Sequence, residues 1–348
     1  MSQTMPPAPT LTAIRPRWME LGRGVAVCLV IAGVAMGLGR FVPLVGAPII
    51  AILIGVAIAN LVGPKPLVGL RIKEVSGYAL RTGIVILGAT LSLYDVASSG
   101  ARSLPLLAVT VTVGLAFPLL VGRSMGVDWR MRCLIGIGTT ICGASAIAAL
   151  APVLRAKSEE IAYSISVIFL FNMLAVLIFP TLGHMLHMSD YGFGLWDGTA
   201  VNDTSAVVAA GFAFSPEAGN TATIVKLTRT TLIIPLVLAF GLAMPWLDPA
   251  HRSEESHLLA RLGKAVPWFI GLFVLASLLN TLGLIGGAAG PLQVLARFVL
   301  VVALAAVGLQ GNWRAFAGAG PGPLWLGLGT WFLVAASSLL VQYWTGAL

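Results

Sequence analysis

GTTICGASAIAA at residues 138–149 and GTAVNDTSAVVAA at residues 198–210 decide the fold of this chain. Each stretch places small and hydroxyl-bearing residues inside a longer apolar segment. Lipid offers no hydrogen-bond partner to a polar group, so polar residues at membrane depth need partners from the protein itself. The two matched stretches therefore predict a functional site at the place where they meet.

The composition predicts a membrane protein. The chain has 348 residues, of which 58% are hydrophobic and 10% charged, with a mean hydropathy of +0.95. A soluble globule of this composition would expose too much apolar surface. About eleven apolar runs reach the roughly 20 residues needed to cross a bilayer. We therefore predict an all-α polytopic protein of the bacterial inner membrane, with about 9–11 transmembrane segments and the lipid bilayer as its environment.

The sequence predicts one domain after a short N-terminal tail. The first 20 residues include Arg15 and Arg17 but lack the cleavage pattern of a signal peptide, which predicts a cytoplasmic tail and a cytoplasmic N-terminus. The rest, 21–348, is predicted to be a single transmembrane transporter domain. Its predicted parts are repeat-like units at about 46–183 and 193–346, with the motif segments 131–154 and 193–214.

Charge and cysteine content limit which partners and cofactors the sequence predicts. The net charge of +8 would suggest nucleic acid in a soluble protein, but basic residues in short loops are the usual orientation signal of a membrane protein. We therefore predict no nucleic-acid partner. Cys28, Cys133 and Cys142 lack metal-ligand spacing, so no metal site is predicted. No cofactor is expected beyond Na⁺ or H⁺ as a coupling ion.

The positive charges also indicate how the motif segments cross the membrane. If 131–154 were a full span, Arg155 and Lys157 would lie outside, against the positive-inside rule. A hairpin that dips into the membrane and returns keeps them inside. A matching hairpin at 193–214 would then open on the other face. We favour re-entrant hairpins, and crossed broken helices are the rival geometry.

A weaker repeat supports inverted halves. The stretch from Pro48 through Asn60 to Arg81 resembles the stretch from Pro267 through Asn280 to Arg297, and an apolar span follows each. With re-entrant hairpins, every repeated piece becomes inverted relative to its partner. Inverted repeats with interrupted segments that meet near mid-membrane are typical of secondary transporters.

The first motif predicts an anion pocket. A helix break at Gly143, with hydroxyls on both sides, would supply N–H and O–H donors without a fixed negative charge. The alternative is close helix packing through small residues. The predicted substrate-binding residues of this motif are Thr139, Thr140, Cys142, Gly143 and Ser145.

Two cations extend the predicted anion pocket. Lys226 and Arg229 lie three positions apart, so they share a helix face and one anion could meet both. The alternative is that both lie near a membrane face and extend their charged ends to water.

The second motif predicts the coupling-ion site. Asp203 is the carboxylate expected to lie deepest, and a charge at the bilayer centre costs about 3 kcal/mol on the lenient scale. We predict that it takes up a proton or sodium ion together with Asn202, Thr204 and Ser205. The alternative is that Asp203 only caps the helix that follows, and the two roles are compatible.

Five pieces of the chain, all within 46–346, carry a family resemblance: LRTGIVILGATLSL from Leu80, TICGASAIAALAPV from Thr140, FNMLAVLIFP from Phe171, WDGTAVNDTSAVVAAG from Trp196 and KLTRTTLIIPL from Lys226. They resemble the YeiH family of conserved bacterial membrane proteins, which are often labelled sulfate exporters by inference. That family is in turn similar to the fold group of bile-acid/sodium symporters and cation/proton antiporters, which has five-element inverted repeats.

Together, motifs and resemblance predict a secondary transporter of a small anion that works by alternating access with proton or sodium coupling. The substrate class implied is sulfate or a related organic sulfonate or carboxylate, and the family label implies export. The alternatives are an anion channel and a sodium-coupled organic-anion importer. A membrane enzyme is disfavoured because the chain carries neither an HExxH-like pattern nor a nucleophile elbow. A homodimer is left open.

Overall fold

The computed structural model describes residues 17–41, 46–63, 67, 69–247, 267–311 and 321–347, with backbone only at 244–247. These residues form α-helices and one short 3₁₀ turn, and they contain no β-strand. The helices are α1 (Arg17–Gly39), α2 (Gly46–Val62), α3 (Ile72–Gly88), α4 (Leu93–Val121), α5 (Trp129–Thr140), α6 (Ala144–Leu154), α7 (Ser158–Met185), α8 (Asp190–Ala200), α9 (Thr204–Phe214), α10 (Pro216–Thr231), α11 (Ile233–Leu247), α12 (Phe269–Thr281), α13 (Ala289–Gly308) and α14 (Pro321–Thr345).

Six segments of the described chain are long and apolar enough to cross a bilayer, which confirms a polytopic all-α membrane protein. They are α1, α4, α7, α14, the segment Pro216–Ala243 from α10 and α11, and the segment Gly286–Gly308 that ends in α13. The apolar helices α2 and α12 are shorter. Residues 1–16 of the predicted tail lie outside the described residues, and 17–20 belong to α1.

The segment 131–154 forms a re-entrant hairpin, which we call hairpin 1 (129–154). Helices α5 and α6 are joined by a turn at Ile141–Gly143. At the far ends of the two helices, Arg130 Nε donates to the carbonyl oxygen of Leu154 at 3.1 Å. Because the first and last turns are in contact, the two helices run back along each other. The interpretation with crossed broken helices is wrong here.

The segment 193–214 forms hairpin 2 (190–214) in the same way. Helices α8 and α9 are joined at Val201–Asp203. Near the beginning of α8 and at the end of α9, the rings of Phe193 and Phe214 stack with centroids 4.0 Å apart. Both motif segments therefore fold back on themselves, as the re-entrant interpretation predicts.

Helix α7 places the two hairpins on opposite faces of the membrane. It begins four residues after hairpin 1 and ends shortly before hairpin 2. Its 28 residues extend over about 42 Å, more than the roughly 30 Å of the hydrocarbon core. The hairpins therefore open at opposite ends of α7. Ile168 and Asn172, near its middle, lie against the tip of hairpin 1 at Gly143.

The members of the weaker repeat pack against each other beside the hairpins. Helix α2 approaches α13 so closely that a Cβ on Gly55 would lie 2.7 Å from the carbonyl oxygen of Ala305. Asn60 Nδ2 donates to the carbonyl oxygen of Gly311 at 2.9 Å. Small residues permit such approach between membrane helices. The repeated segments thus form one bundle along hairpin 2.

Candidate functional site

The tips of both hairpins meet around two cations on α10. Lys226 and Arg229 are completely buried, with 0% of each residue exposed. They lie on one helix face, as their spacing predicts. The alternative that both extend to water at a membrane face is therefore wrong.

Lys226 binds the backbone of both tips. Its Nζ donates to the carbonyl oxygens of Ile141 in hairpin 1 at 2.6 Å and Val201 in hairpin 2 at 3.0 Å. It also donates to the carbonyl oxygen of Asn202. An ammonium group has three N–H donors, so all of them are used.

Arg229 makes the same kind of link one turn further along α10. Its Nη1 donates to the carbonyl oxygens of Thr199 at 2.7 Å and Val201 at 3.1 Å, both in hairpin 2. Its Nε and Nη2 donate to the carbonyl oxygens of Thr140 and Thr139 in hairpin 1. We call the two cations and these carbonyl oxygens the hairpin junction.

The cations of the hairpin junction supply hydrogen-bond donors and positive charge to the C-terminal ends of two helices. Its carbonyl oxygens belong to the last turns of α5 and α8 and to the residues just after them. The final carbonyls of a helix lack intrahelical partners and carry about half a negative charge together. Lys226 and Arg229 satisfy these groups, so in this arrangement their donors are engaged by backbone and not turned to a ligand.

The threonines of hairpin 1 contribute carbonyls where we predicted hydroxyls. The Thr140 hydroxyl donates to Gly136 O at 2.8 Å within its own helix. Cys142 is buried in the tip. Ser145, in contrast, is exposed, together with Ala144. Of the residues predicted to bind substrate, Ser145 is thus the one whose side chain is most open to a ligand.

Helix α6 begins at the tip without a side-chain cap from the described residues. Gly143 precedes it with φ +64°, in the left-handed region that favours glycine. The first N–H groups of a helix lack intrahelical partners and carry partial positive charge. Since Ala144 and Ser145 are exposed, this end of α6 can present N–H donors to an anion.

Helix α9 begins at the other tip with Asp203 as its N-cap. Asp203 Oδ2 accepts from the Ser205 backbone N–H at 2.9 Å and from the Ser205 hydroxyl. Capping, one of the two predicted roles of Asp203, is therefore confirmed. Asp203 and Thr204 are half-buried.

Asn172 and Asn202 hold the second tip in place. Asn172 Oδ1 accepts from the backbone N–H groups of Asn202 at 3.1 Å and Asp203 at 3.0 Å. With its amide oriented to suit its neighbours, Asn202 donates to the carbonyl oxygen of Thr139 at 2.7 Å. The Asn202 side chain thus links the hairpins and does not face the coupling-ion site that we predicted for it.

A small cavity lies beside the Asp203 cap. Its volume is about 30 Å³, which suffices for a water molecule or a small ion. Its polar wall consists of Asp203, Ser205 and Asn172. Its apolar wall includes Ile52 of α2 and Val307 of α13.

A larger cavity of about 350 Å³ lies nearer the open end of hairpin 2. Helices α2, α9 and α13 contribute to the walls of both cavities. Arg297 is on the wall of the larger cavity, and its guanidinium lies 6.0 Å from the centre of the Phe212 ring. Most of its other described lining is apolar. The small cavity thus lies at the Asp203 end of α9 and the larger cavity at its Phe214 end.

Asp197 is a site residue that sequence analysis missed. It lies on α8 with 0% exposure. Neither carboxylate oxygen has a hydrogen-bond partner among the described residues. The signal was present, because 193–214 contains two aspartates and each deep carboxylate is costly. Only Asp203 was singled out.

Comparison with known proteins assigns the family. The model of the family described as conserved hypothetical protein 698 matches residues 23–327, which include both hairpins. The chain belongs to this family. It is 40% identical over 327 residues to the UPF0324 membrane protein SAG1125 of Streptococcus agalactiae, covering 92% of this chain and 96% of that relative. The UPF0324 membrane protein of Streptococcus mutans is 40% identical over 331 residues, covering 93% and 97%.

These relatives confirm the predicted YeiH-type family and a multi-pass bacterial membrane protein. In this UPF0324 chain, the described residues contain no group of three His, Cys, Asp or Glu that could hold a metal ion. What the site presents is different: two buried cations, one open helix N-terminus, one capping carboxylate and one buried carboxylate. Such groups can bind ions and transfer protons.

Proposed function

We propose that this UPF0324 protein is a secondary transporter that moves a small anion across the membrane by alternating access. Two hairpins that open on opposite faces and meet near mid-membrane support a transport role. The observation that carries the proposal is the hairpin junction, in which the completely buried Lys226 and Arg229 hold both tips.

The charge balance at the tips supports an anionic substrate. Lys226 and Arg229 contribute two positive charges, whereas the two helix C-termini that they bind contribute about half a negative charge each. The N-termini of α6 and α9 add partial positive charge, and Asp203 offsets part of the excess. With the buried Asp197 in its neutral form, the remaining potential is positive, and an anion is attracted to the exposed N–H groups at Ala144 and Ser145.

We infer that the substrate is sulfate or a related organic sulfonate or carboxylate, with export as the direction that the family label implies. Asp203 is the proposed coupling group. It lies on the wall of the small cavity with Ser205 and Asn172, where a sodium ion or proton would find oxygen ligands.

A thermal-shift panel on purified protein tests the proposal. The ligands are sulfate, thiosulfate, taurine, sulfoacetate, citrate and chloride, each with sodium or potassium at two pH values. A ligand at 100 times its dissociation constant stabilises the folded state by about 2.7 kcal/mol. We expect one anion class to stabilise the protein selectively, and the same anion to exchange across proteoliposome membranes.

Matched serine variants connect the result to the site. Ser145→Ala removes the exposed hydroxyl beside the α6 N-terminus and should weaken the stabilisation by the anion. Ser166→Ala removes an exposed hydroxyl on α7 that bonds only Ala162 of its own helix, and should leave it unchanged. A flat panel together with no anion exchange would contradict the proposed function.

A further inference from the structure

Asp197 is buried in hairpin 2 beside a glycine that leaves room for it. A Cβ on Gly211 of α9 would lie 3.2 Å from Asp197 Oδ2. Neither oxygen makes a hydrogen bond of normal geometry to the described residues, and the residue is completely buried. The fold therefore encloses a carboxyl group that has only the nearby Gly211 backbone N–H, outside normal geometry, to act on it.

Such a group is costly if it serves only packing. An ionised carboxylate in an apolar interior needs hydrogen bonds or a paired charge. No ion pair within 4 Å joins Asp197 to a cation of the described residues. A carboxyl group that binds a proton avoids this cost. Ionisable residues inside membranes commonly form proton relays for the same reason.

The charged neighbours of Asp197 are few. Of the groups on α10, Lys226 acts on it electrostatically, and Arg229 lies one turn further on. Helix α9 contributes the Gly211 backbone and, at its N-cap, Asp203. Helix α14 faces α8 with the neutral Ser338 and Gln342. Helix α4 presents Arg102 to Tyr191 and Leu195, nearer the open end of α8.

Lys226 is engaged away from Asp197. In this structure its ammonium group binds the tip carbonyls of Ile141, Val201 and Asn202. Among the described residues, no cation therefore neutralises an ionised Asp197, and a bound proton is what removes its charge.

We propose that Asp197 is the proton-carrying group of the transport cycle. This rests on the proposed function: of the two coupling ions left open there, it assigns the proton to Asp197 and leaves Asp203 to the sodium ion or to capping alone. In the arrangement described here, the carboxyl group keeps its O–H bond. When that bond breaks in another step of the cycle, the proton passes to water that reaches hairpin 2, and the carboxylate keeps the electron pair.

Infrared difference spectroscopy tests the proton site without a known substrate. Protein reconstituted in lipid is compared at two pH values that both lie above the titration range of ordinary exposed carboxyl groups, about pH 4, in water and in heavy water. The wild type should show a carboxylic-acid C=O band that shifts in heavy water. Asp197→Asn should lose this band, whereas Asp203→Asn and Asp190→Asn should keep it; Asp190 is exposed on the same helix. Retention of the band in Asp197→Asn would overturn the proposal.

Transport by proteoliposomes tests its consequence, with radiolabelled sulfate as the probe. Counterflow against unlabelled sulfate needs no net proton movement, whereas uptake driven by a pH gradient does. Asp197→Asn mimics the protonated form, so it should retain counterflow and lose pH-driven uptake. Retained pH-driven uptake, or loss of both activities in a folded variant, overturns the assignment. Absence of counterflow in the wild type counts against sulfate as the substrate. The infrared experiment tests Asp197 independently of the substrate.

Discussion

The guanidinium group of Arg229 lies 2.7 Å from the carbonyl oxygen of Thr199, and so fastens hairpin 2 to α10. The same group reaches Thr139 of hairpin 1 through its other nitrogen. A planar guanidinium can bind acceptors on two sides at once, which the compact ammonium of lysine does less well. Arg229 therefore positions both arms of the site together with Lys226.

Replacing Arg229 should destabilise the fold. Arg229→Gln leaves several buried carbonyl oxygens without donors, each at a cost of about 1–3 kcal/mol. Arg229→Lys should recover part of the loss. The measurement is the thermal unfolding midpoint in detergent, with Arg123→Gln, in an exposed loop, as the control. An unchanged midpoint in Arg229→Gln would show that the hairpin junction does not stabilise the protein.

Asn172 should stabilise the protein by accepting hydrogen bonds from the backbone of the second tip. Asn172→Leu keeps a similar volume but leaves the N–H groups of Asn202 and Asp203 without their acceptor. Each orphaned N–H costs about 1–3 kcal/mol. We expect a lower unfolding midpoint than for Ser166→Ala on the same helix. Equal midpoints for the two variants would contradict this role.

Asp203→Asn should separate folding from coupling. Asparagine caps helices about as well as aspartate, so we expect the unfolding free energy to change by less than about 0.5 kcal/mol. If Asp203 handles the coupling ion, the variant loses the dependence of transport on that ion. Transport with unaltered ion dependence would mean that Asp203 serves α9 only as a cap.

Cysteine labelling should reveal the hairpin geometry. In a background without Cys28, Cys133 and Cys142, Asp128→Cys and Arg155→Cys introduce thiols at the two ends of hairpin 1. A membrane-impermeant maleimide should label both from the same face of oriented vesicles. His187→Cys, beyond α7, should be labelled from the opposite face. Labelling of the first two from different faces would require a full span at 131–154.

The sequence predicts the hairpins better than it predicts their contacts. The position of Arg155 and Lys157 indicates a returning segment because orientation depends on loop charge, which is readable along the chain. The spacing of Lys226 and Arg229 likewise gives their shared face. The spacing does not reveal which groups the two cations bind, because the hairpin tips come from segments up to 90 residues away.

Asp197 and the Thr140 hydroxyl show the same limit. A hydroxyl in a helix can bond the carbonyl four residues earlier, and that local partner takes the donor that we assigned to a ligand. Whether a carboxylate in an apolar run is capped, as in Asp203, or enclosed, as in Asp197, depends on how α9 folds back on α8. Only the three-dimensional arrangement settles this.

Lys226 and Arg229 bind main-chain oxygens, which every amino acid carries. Substitutions at Ile141 or Val201 that preserve the backbone path therefore leave these contacts available. Substitutions at the two cations remove these contacts, because among the described residues the Asn202 amide is the one other side-chain donor to any of these carbonyls, that of Thr139. The residue identities that join the hairpins therefore lie almost entirely on α10. In saturation mutagenesis, we expect most substitutions at the tips to be tolerated and most substitutions at 226 and 229 not to be.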